Sequence, residues 1–154
     1  MPGHWLLKGD YDSVLVGDGG QVVSVETSVF KGEWPAAMRE QIIRDEAAQA
    51  RAELEQLPAR LQASVQQPLR IRRLASGGDV YSVTVRKTNG SWLELFLVLH
   101  HPVCIRVTVE SASKAAHAVA HAAVEQALDA MVWAPQKAMP GSAAPSSAAA
   151  SVSP

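Results

Sequence analysis

Residues 80–110 constrain the fold more than any other part of the chain, because they hold three apolar-rich runs separated by short turns. The runs are VYSVTVRK, WLELFLVLH and VCIRVTVE, and the turns between them are TNGS and HP. Asn-Gly between two such runs is the strongest local signal for a β-hairpin. The runs are rich in β-branched and aromatic residues, which favour a pleated, half-buried surface. The sequence therefore predicts a three-stranded antiparallel meander.

The pairing within this meander can be predicted from the alternation of side chains along each strand. A two-residue Asn-Gly loop pairs Phe96 with Val83, and a three-residue His-His-Pro loop pairs Leu99 with Val103. One face then carries the leucines at positions 93, 95, 97 and 99, the valines at 103, 107 and 109, and Ile105. The other face carries Phe96 and Val98 together with Tyr81, Val83 and Val85. The central strand is thus apolar on both sides, which predicts a sheet covered on both faces. A bulge that returns every apolar side chain to one face is the alternative.

The flanking segments predict the remaining elements. HWLLK (4–8), SVLV (13–16) and QVVSVETSVF (21–30) predict three strands before a long helix that begins at Pro35, a favoured first-turn residue. Pro58 and Pro68 bracket a shorter helical piece or loop over 59–67. LRIRRL (69–74) predicts a strand that enters the meander. Ser111 or Ser113 caps a last helix, which Pro135 ends.

Composition limits the class of protein. At 154 residues with 47% apolar content, the chain predicts one globular domain over 1–134, followed by a low-complexity Ala/Ser/Pro tail over 135–154. A formal net charge of −1 gives no reason to expect a nucleic-acid partner. Cys104 is the single cysteine, which excludes an internal disulfide. The N-terminus does not resemble a secretory signal and no stretch predicts a membrane span, so we expect a cytoplasmic protein.

His117, His121 and Glu125 are spaced four residues apart on the last predicted helix. Two histidines at this spacing can share a metal ion, because their side chains meet over one helical turn. The pattern lacks the adjacent glutamate of the H-E-x-x-H hydrolase motif. We therefore favour a packed histidine and a surface histidine. The sequence predicts no catalytic residue, no cofactor and no metal ligand, and Cys104 is expected to be structural.

The candidate partner-binding residues come from acidic turns, a large aromatic residue beside a turn, and the basic cluster of the fourth predicted strand. Turn chemistry is an equally good explanation for the aspartates, and edge-strand charge for the arginines. Trp92 directly follows a turn and is therefore expected to be partly exposed. The candidates are Asp10, Tyr11, Asp12, Asp18, Arg72 and Trp92.

The predicted order of three strands, a long helix after Trp34-Pro35, four strands and a closing ALDAMVW helix after VCIRVTVES resembles the PsbP-like α/β fold over residues 4–133. That group includes DcrB proteins and the small chaperones and immunity proteins associated with type VI secretion. The resemblance implies an α+β domain in which two main helices pack against an antiparallel sheet of six or seven strands. It also implies a binding protein and not an enzyme.

These observations lead to ranked hypotheses. The first is a cytosolic immunity protein that binds a cognate bacterial toxin domain and occludes its active site. The second is an effector-loading chaperone of the same fold that shields apolar segments of a secreted effector. A homodimer is compatible with either hypothesis. The third is an enzyme that uses His117 and His121 to hold a metal ion.

Overall fold

The computed structural model describes residues 6–8, 13–30 and 35–133. Seven strands and two helices follow in the order three strands, helix, four strands, helix. The elements are β1 (Leu6–Lys8), β2 (Ser13–Val16), β3 (Val22–Val29), α1 (Ala36–Leu61), β4 (Ser64–Arg73), β5 (Asp79–Arg86), β6 (Trp92–His100), β7 (Val103–Ser111) and α2 (Lys114–Asp129). This order confirms the predicted α+β class.

All seven strands form one antiparallel sheet in the order β1-β2-β3-β7-β6-β5-β4. The long pairing of β3 with β7 joins the N-terminal meander to the meander predicted from residues 80–110. Leu54 and Leu57 of α1 pack against Leu95 of β6, whereas Val124 of α2 packs against Phe96. Because odd and even residues of a strand point to opposite faces, the two helices cover opposite sides of the sheet.

Both predicted hairpin registers were wrong by one residue, although the conclusion drawn from them holds. Val83 pairs with Leu95 instead of Phe96, and His100 instead of Leu99 pairs with Val103. The first loop has three residues, 88–90, because Asn89 accepts a hydrogen bond from Ser91 N–H (2.9 Å) and only the glycine at position 90 adopts a positive φ, of 89°. The two slips move Val83 to the face that carries Leu95 and move Val107 to the face that carries Phe96. The central strand β6 therefore remains apolar on both sides.

The second slip is explained by the polarity of β7. With a two-residue loop, Val107 and Val109 join Phe96 under α2. Arg106 and Thr108 then point to the other face, beyond the region that α1 covers, where they stay partly exposed. A three-residue loop would have placed these polar side chains under α2 instead.

The boundary between α1 and β4 also differs from the prediction. The helix continues through Pro58 to Leu61, and β4 begins at Ser64, so there is no separate helical piece or loop over 59–67. Pro58 lies in the last turn, where it removes only one backbone hydrogen bond while Leu57 anchors that turn in the core. Pro68 is tolerated because β4 is an edge strand whose register shifts around that position.

Ser113, one of the two predicted caps, begins α2 by accepting a hydrogen bond from Ala116 N–H (3.1 Å). Gln21, before β3, donates its side-chain amide to the Ala116 carbonyl (3.1 Å), so the first turn of α2 is also tied to the N-terminal strands. Within the described ranges, neither helix is both long enough and apolar enough to cross a membrane.

Candidate functional site

Glu94 is the third residue of β6, an interior strand of the sheet, and it lies on the face that α2 covers. It is only 1% exposed, and its strand neighbours are apolar. Burying a carboxylate in such surroundings reduces the free energy of unfolding by about several kcal/mol unless charged or hydrogen-bonding groups compensate for the lost hydration. Glu94 therefore requires charged or hydrogen-bonding partners on this face.

Two histidines of α2 provide that compensation. His117 Nε2 lies 3.2 Å from Glu94 Oε1, and His121 Nδ1 lies 2.8 Å and 3.0 Å from the two carboxylate oxygens. The four-residue spacing of the histidines places both rings on one side of the helix, facing the sheet. Ser113 fixes where α2 begins, one turn before His117. One carboxylate and two imidazoles thus converge between the strand and the helix.

Aromatic rings hold the two imidazoles in place. Trp92 stacks on His117 with ring centroids 5.4 Å apart, and Phe96 stacks on His121 at 6.1 Å. Trp92, Glu94 and Phe96 alternate along β6, so all three point toward α2. His117 Nδ1 is buried without a hydrogen-bond partner, as is the hydroxyl of Ser111, which pairs with Trp92 across the β6–β7 ladder.

An ion-pair network surrounds the exposed side of this cluster. His121 Nε2 lies 3.6 Å from Glu125 Oε2, and Glu125 accepts hydrogen bonds from Arg70 and Arg72 of β4. Arg72 also binds Asp129 at 2.9 Å. Partial burial lowers the pKa of Arg72, but hydrogen bonds to Asp129 and Glu125 outweigh this effect and raise the pKa above its ordinary value. The network ties the edge strand to α2 and fixes Glu125 beside His121.

Chemically, the cluster can hold either a shared proton or a cation. Glu94, His117 and His121 can each offer one ligand atom, and these atoms all lie within 4.8 Å of one another. Two imidazole nitrogens and a carboxylate oxygen form a ligand set that zinc and non-haem iron use in proteins. From the sequence alone, no metal ligand was predicted. The structure brings together a set of residues that could act as ligands.

A second surface lies on the opposite face, beside α1. We call it the open face and define it by the partly or fully exposed side chains of β3 and β7 that point to the α1 side: Ser24, Glu26, Ser28, Cys104, Arg106 and Thr108. The body of α1 packs on β4, β5 and β6, farther along the sheet. Arg106 bridges the two regions through hydrogen bonds to Glu53 of α1 (2.6 Å and 3.0 Å).

The end of the open face nearest the β6–β7 turn is more apolar. Phe30 follows Ser28 on the same side of the sheet, and its ring centroid lies 5.7 Å from that of His101. His101 in turn contacts Glu46 of α1 at 3.3 Å. Ile43, less than one helical turn before Glu46, is 42% exposed. Polar strands and a partly exposed apolar end therefore form one continuous surface.

The structure describes three of the six predicted partner-binding residues. Asp18 is exposed in the β2–β3 turn, and Trp92 is partly exposed as expected, at the same end of the sheet. Arg72 lies toward the opposite end of the sheet, in ion pairs with Glu125 and Asp129. The other three candidates, Asp10, Tyr11 and Asp12, lie outside the described residues, as does the 135–154 tail.

Glu94 was absent from the predicted site residues, although the sequence carries a signal for it. It is the only charged residue inside the run WLELFLVLH, which was predicted to be buried on both faces. A lone carboxylate in such a strand needs a partner, and the two histidines of the following helix were the available candidates. Combining these observations would have suggested a pairing of Glu94 with one of the histidines, although the arrangement of all three groups depends on how α2 docks on the sheet.

No protein-family model matches the chain, and no curated protein matches it at a significant level.

Proposed function

We propose that the chain is a protein-binding domain, namely a cytosolic immunity protein that occludes a cognate toxin domain. The observation that carries this proposal is the excess of carboxylates along the open face and the adjoining side of α1. Glu26 and Glu53 lie beside the guanidinium of Arg106, and Glu46 of α1 contacts His101, so these three carboxylates face one arginine. A surface of this kind complements a basic active-site cleft, since matched potentials speed association and exclude wrong partners.

The proposed mechanism is steric. Two paired strands form a stiff surface, so little conformational entropy is lost when a partner docks on it. Phe30 and Ile43 provide partly exposed apolar side chains beside the acidic region. Protein interfaces commonly combine a few apolar or aromatic anchors with a polar rim. The toxin's cleft would lie over the open face and lose access to its substrate.

The resemblance to the PsbP-like group supports the biological setting of this proposal. The seven-stranded antiparallel sheet with a helix on each side agrees with the architecture that the resemblance implies. Immunity proteins associated with type VI secretion belong to that group, and they protect the producing cell from its own toxin. A toxin that acts in the cytoplasm requires an inhibitor in the same compartment.

A specific observation favours the effector-loading chaperone as a second candidate. Met38 and Ile43, in the first turns of α1, are both more than 40% exposed. Together with Phe30 they could bind an apolar segment of a secreted effector. The two candidates differ in the bound region, because a chaperone binds an N-terminal apolar segment and an immunity protein binds a C-terminal toxin domain.

The test is binding to the product of the neighbouring gene, expressed as two separate halves. We expect the C-terminal half to bind and the protein to protect cells that express it. Glu26→Lys should weaken binding by about tenfold or more, which corresponds to about 1.4 kcal/mol. Glu55→Lys is the matched control, because Glu55 is an exposed glutamate of α1 outside the open face. The affinity of the Glu55→Lys variant for the C-terminal half should equal that of the wild-type protein.

Three results would decide against the immunity proposal. Binding to the N-terminal half alone would favour the chaperone. Absence of binding to either half, together with absence of protection, would end both candidates. Equal weakening by Glu26→Lys and Glu55→Lys would show that binding depends on overall charge and not on the open face.

A further inference from the structure

We propose that Glu94, His117 and His121 form a binding site for one divalent transition-metal ion of the zinc class. The atoms that face one another are His117 Nε2, His121 Nδ1 and the Glu94 carboxylate oxygens. The site lies on the α2 side of the sheet and the open face lies on the α1 side, so this inference does not depend on the proposed toxin partner.

The spacing of the donor atoms suits a small cation. Zinc binds imidazole nitrogen at about 2.0–2.1 Å and carboxylate oxygen at about 2.0–2.2 Å. Tetrahedral ligands at those lengths are about 3.3 Å from one another. The nitrogen–oxygen distances of 3.2 Å for His117 and 2.8–3.0 Å for His121 are close to this value. All three donor atoms lie within 4.8 Å of one another, so a cation between them requires the two rings to close around it.

Glu125 occupies the position of an outer partner for one ligand. Metal-bound histidines generally donate their second ring N–H to a carboxylate or a carbonyl, which fixes the ring and its tautomer. His121 Nε2 lies 3.6 Å from Glu125 Oε2, on the side of the ring away from Glu94. Arg70 and Arg72 hold Glu125 in place. Glu125 would therefore act as a positioning residue.

His117 differs from His121 in this respect. Its Nδ1 atom is buried without a partner, and leaving a buried polar atom unsatisfied costs about 1–3 kcal/mol whether Nε2 faces a proton or a metal ion. Outer support of the proposed site therefore comes from the His121 side.

The burial of the three residues indicates the route by which an ion would enter. The number of protein ligands determines how many coordination positions of the ion stay open. Glu94 and His117 are buried, whereas the side chain of His121 is 33% exposed. The solvent path to the carboxylate therefore passes His121. Three protein ligands leave one tetrahedral position for water or a ligand atom on that side, as in zinc sites that bind exogenous molecules.

The experiment uses tag-free, full-length protein that has been stripped with a chelator. Zinc is titrated calorimetrically, and bound zinc is measured by elemental analysis after desalting. We expect one zinc per chain, a higher thermal midpoint in zinc, and a visible tetrahedral spectrum when cobalt(II) replaces zinc. His121→Ala and Glu94→Gln should each abolish stoichiometric binding. Glu125→Gln should lower affinity by about 10–100-fold, as expected for an outer partner.

His101→Ala is the matched control, because it removes a histidine that contacts a glutamate elsewhere in the molecule. Zinc stoichiometry and the cobalt spectrum should be unchanged in this variant. Circular dichroism establishes that each variant is folded. If Glu94→Gln does not fold, the partly exposed His121 provides the decisive substitution, as Ala or as Gln.

Two outcomes would overturn the proposal. Folded wild-type protein that retains no zinc after desalting would show that the cluster is only a hydrogen-bonded anchor between α2 and the sheet. Stoichiometric zinc that persists in folded His121→Ala would place the ion elsewhere. Neither outcome bears on toxin binding by the open face, which is measured separately.

Discussion

The two faces of the sheet are built differently, although they share the same central strand. On the α1 side the core is almost entirely aliphatic, with Tyr81 as its one aromatic member. On the α2 side, Phe96 and the valines of β7 share the interior with a buried glutamate and a buried histidine. One face needs only apolar contacts for stability. The other retains groups that reduce stability unless something compensates them.

This difference indicates where the molecule is specialised. Burying apolar area stabilises a fold by about 25 cal/mol per Å², whereas a buried ion pair is often no better for stability than apolar side chains of the same size. Stability alone therefore does not require Glu94 and His117 in the α2-side core. Their presence in this core is better explained by specific positioning of α2 or by a ligand. The aliphatic α1-side core then provides the stability on which the other face depends.

The largest expected effect belongs to the aliphatic face. Leu54 is 0% exposed between α1 and the sheet. We expect Leu54→Ala to reduce the free energy of unfolding by about 2–5 kcal/mol, because it removes apolar contacts and leaves a cavity. Urea denaturation followed by circular dichroism measures this change. Ile43→Ala on the same helix should cost far less, and equal losses would show that α1 is not anchored through Leu54.

The polar face should be sensitive to the kind of substitution as well as to its size. In chelator-treated protein, Glu94→Ala should cost about 1–3 kcal/mol, because both imidazoles lose their acceptor. Glu94→Gln should cost less, since the amide keeps the shape and can still accept a hydrogen bond. Urea denaturation of the two variants in parallel measures the difference. If both lose the same stability, the carboxylate acts through its charge and not through its hydrogen bonds.

A smaller effect is expected at the start of α2, which positions both histidines. Ser113→Ala removes the hydrogen bond to Ala116 N–H and should cost about 1 kcal/mol. Ser113→Asp keeps a good capping side chain and should retain stability. The thermal midpoints of the two variants give the comparison. A loss in both would indicate that the backbone of this turn, and not the cap, determines stability.

The architecture could be predicted from the sequence because it depends on patterns within single segments. Alternation of apolar residues predicted the seven strands, and Pro35 predicted the start of α1. The two-faced central strand followed from WLELFLVLH, in which both parities are apolar. Pairing was harder, because Asn89 could serve either a two-residue or a three-residue loop. The Asn89 side chain selected the longer one, a choice that turn composition alone does not reveal.

The candidate site was not predicted because its members come from different elements. His117 and His121 share a helix, and their spacing was recognised as able to bind a metal. Glu94 lies on a strand 23 residues before His117, and only the register and the docking of α2 bring it between the rings. A sequence pattern can suggest two ligands on one helix. The third ligand depends on tertiary structure, so the favoured interpretation was an ordinary packed histidine.

The smallest expected effect concerns the reactivity of Cys104 on the open face, which is measured as a rate and not as a stability. Burial raises the pKa of the Cys104 thiol above its ordinary value, and the nearby Arg106 offsets only part of that rise. Because the thiolate is the reactive form, alkylation at pH 7.5 should be slower than for a free cysteine analogue and should rise about tenfold per pH unit below the pKa. Arg106→Gln should slow the reaction further, since it removes the attraction that favours the thiolate. A faster reaction in this variant would show that Arg106 acts by shielding Cys104 from the reagent and not by its charge, and the open face would then be more closed than its partly exposed side chains indicate.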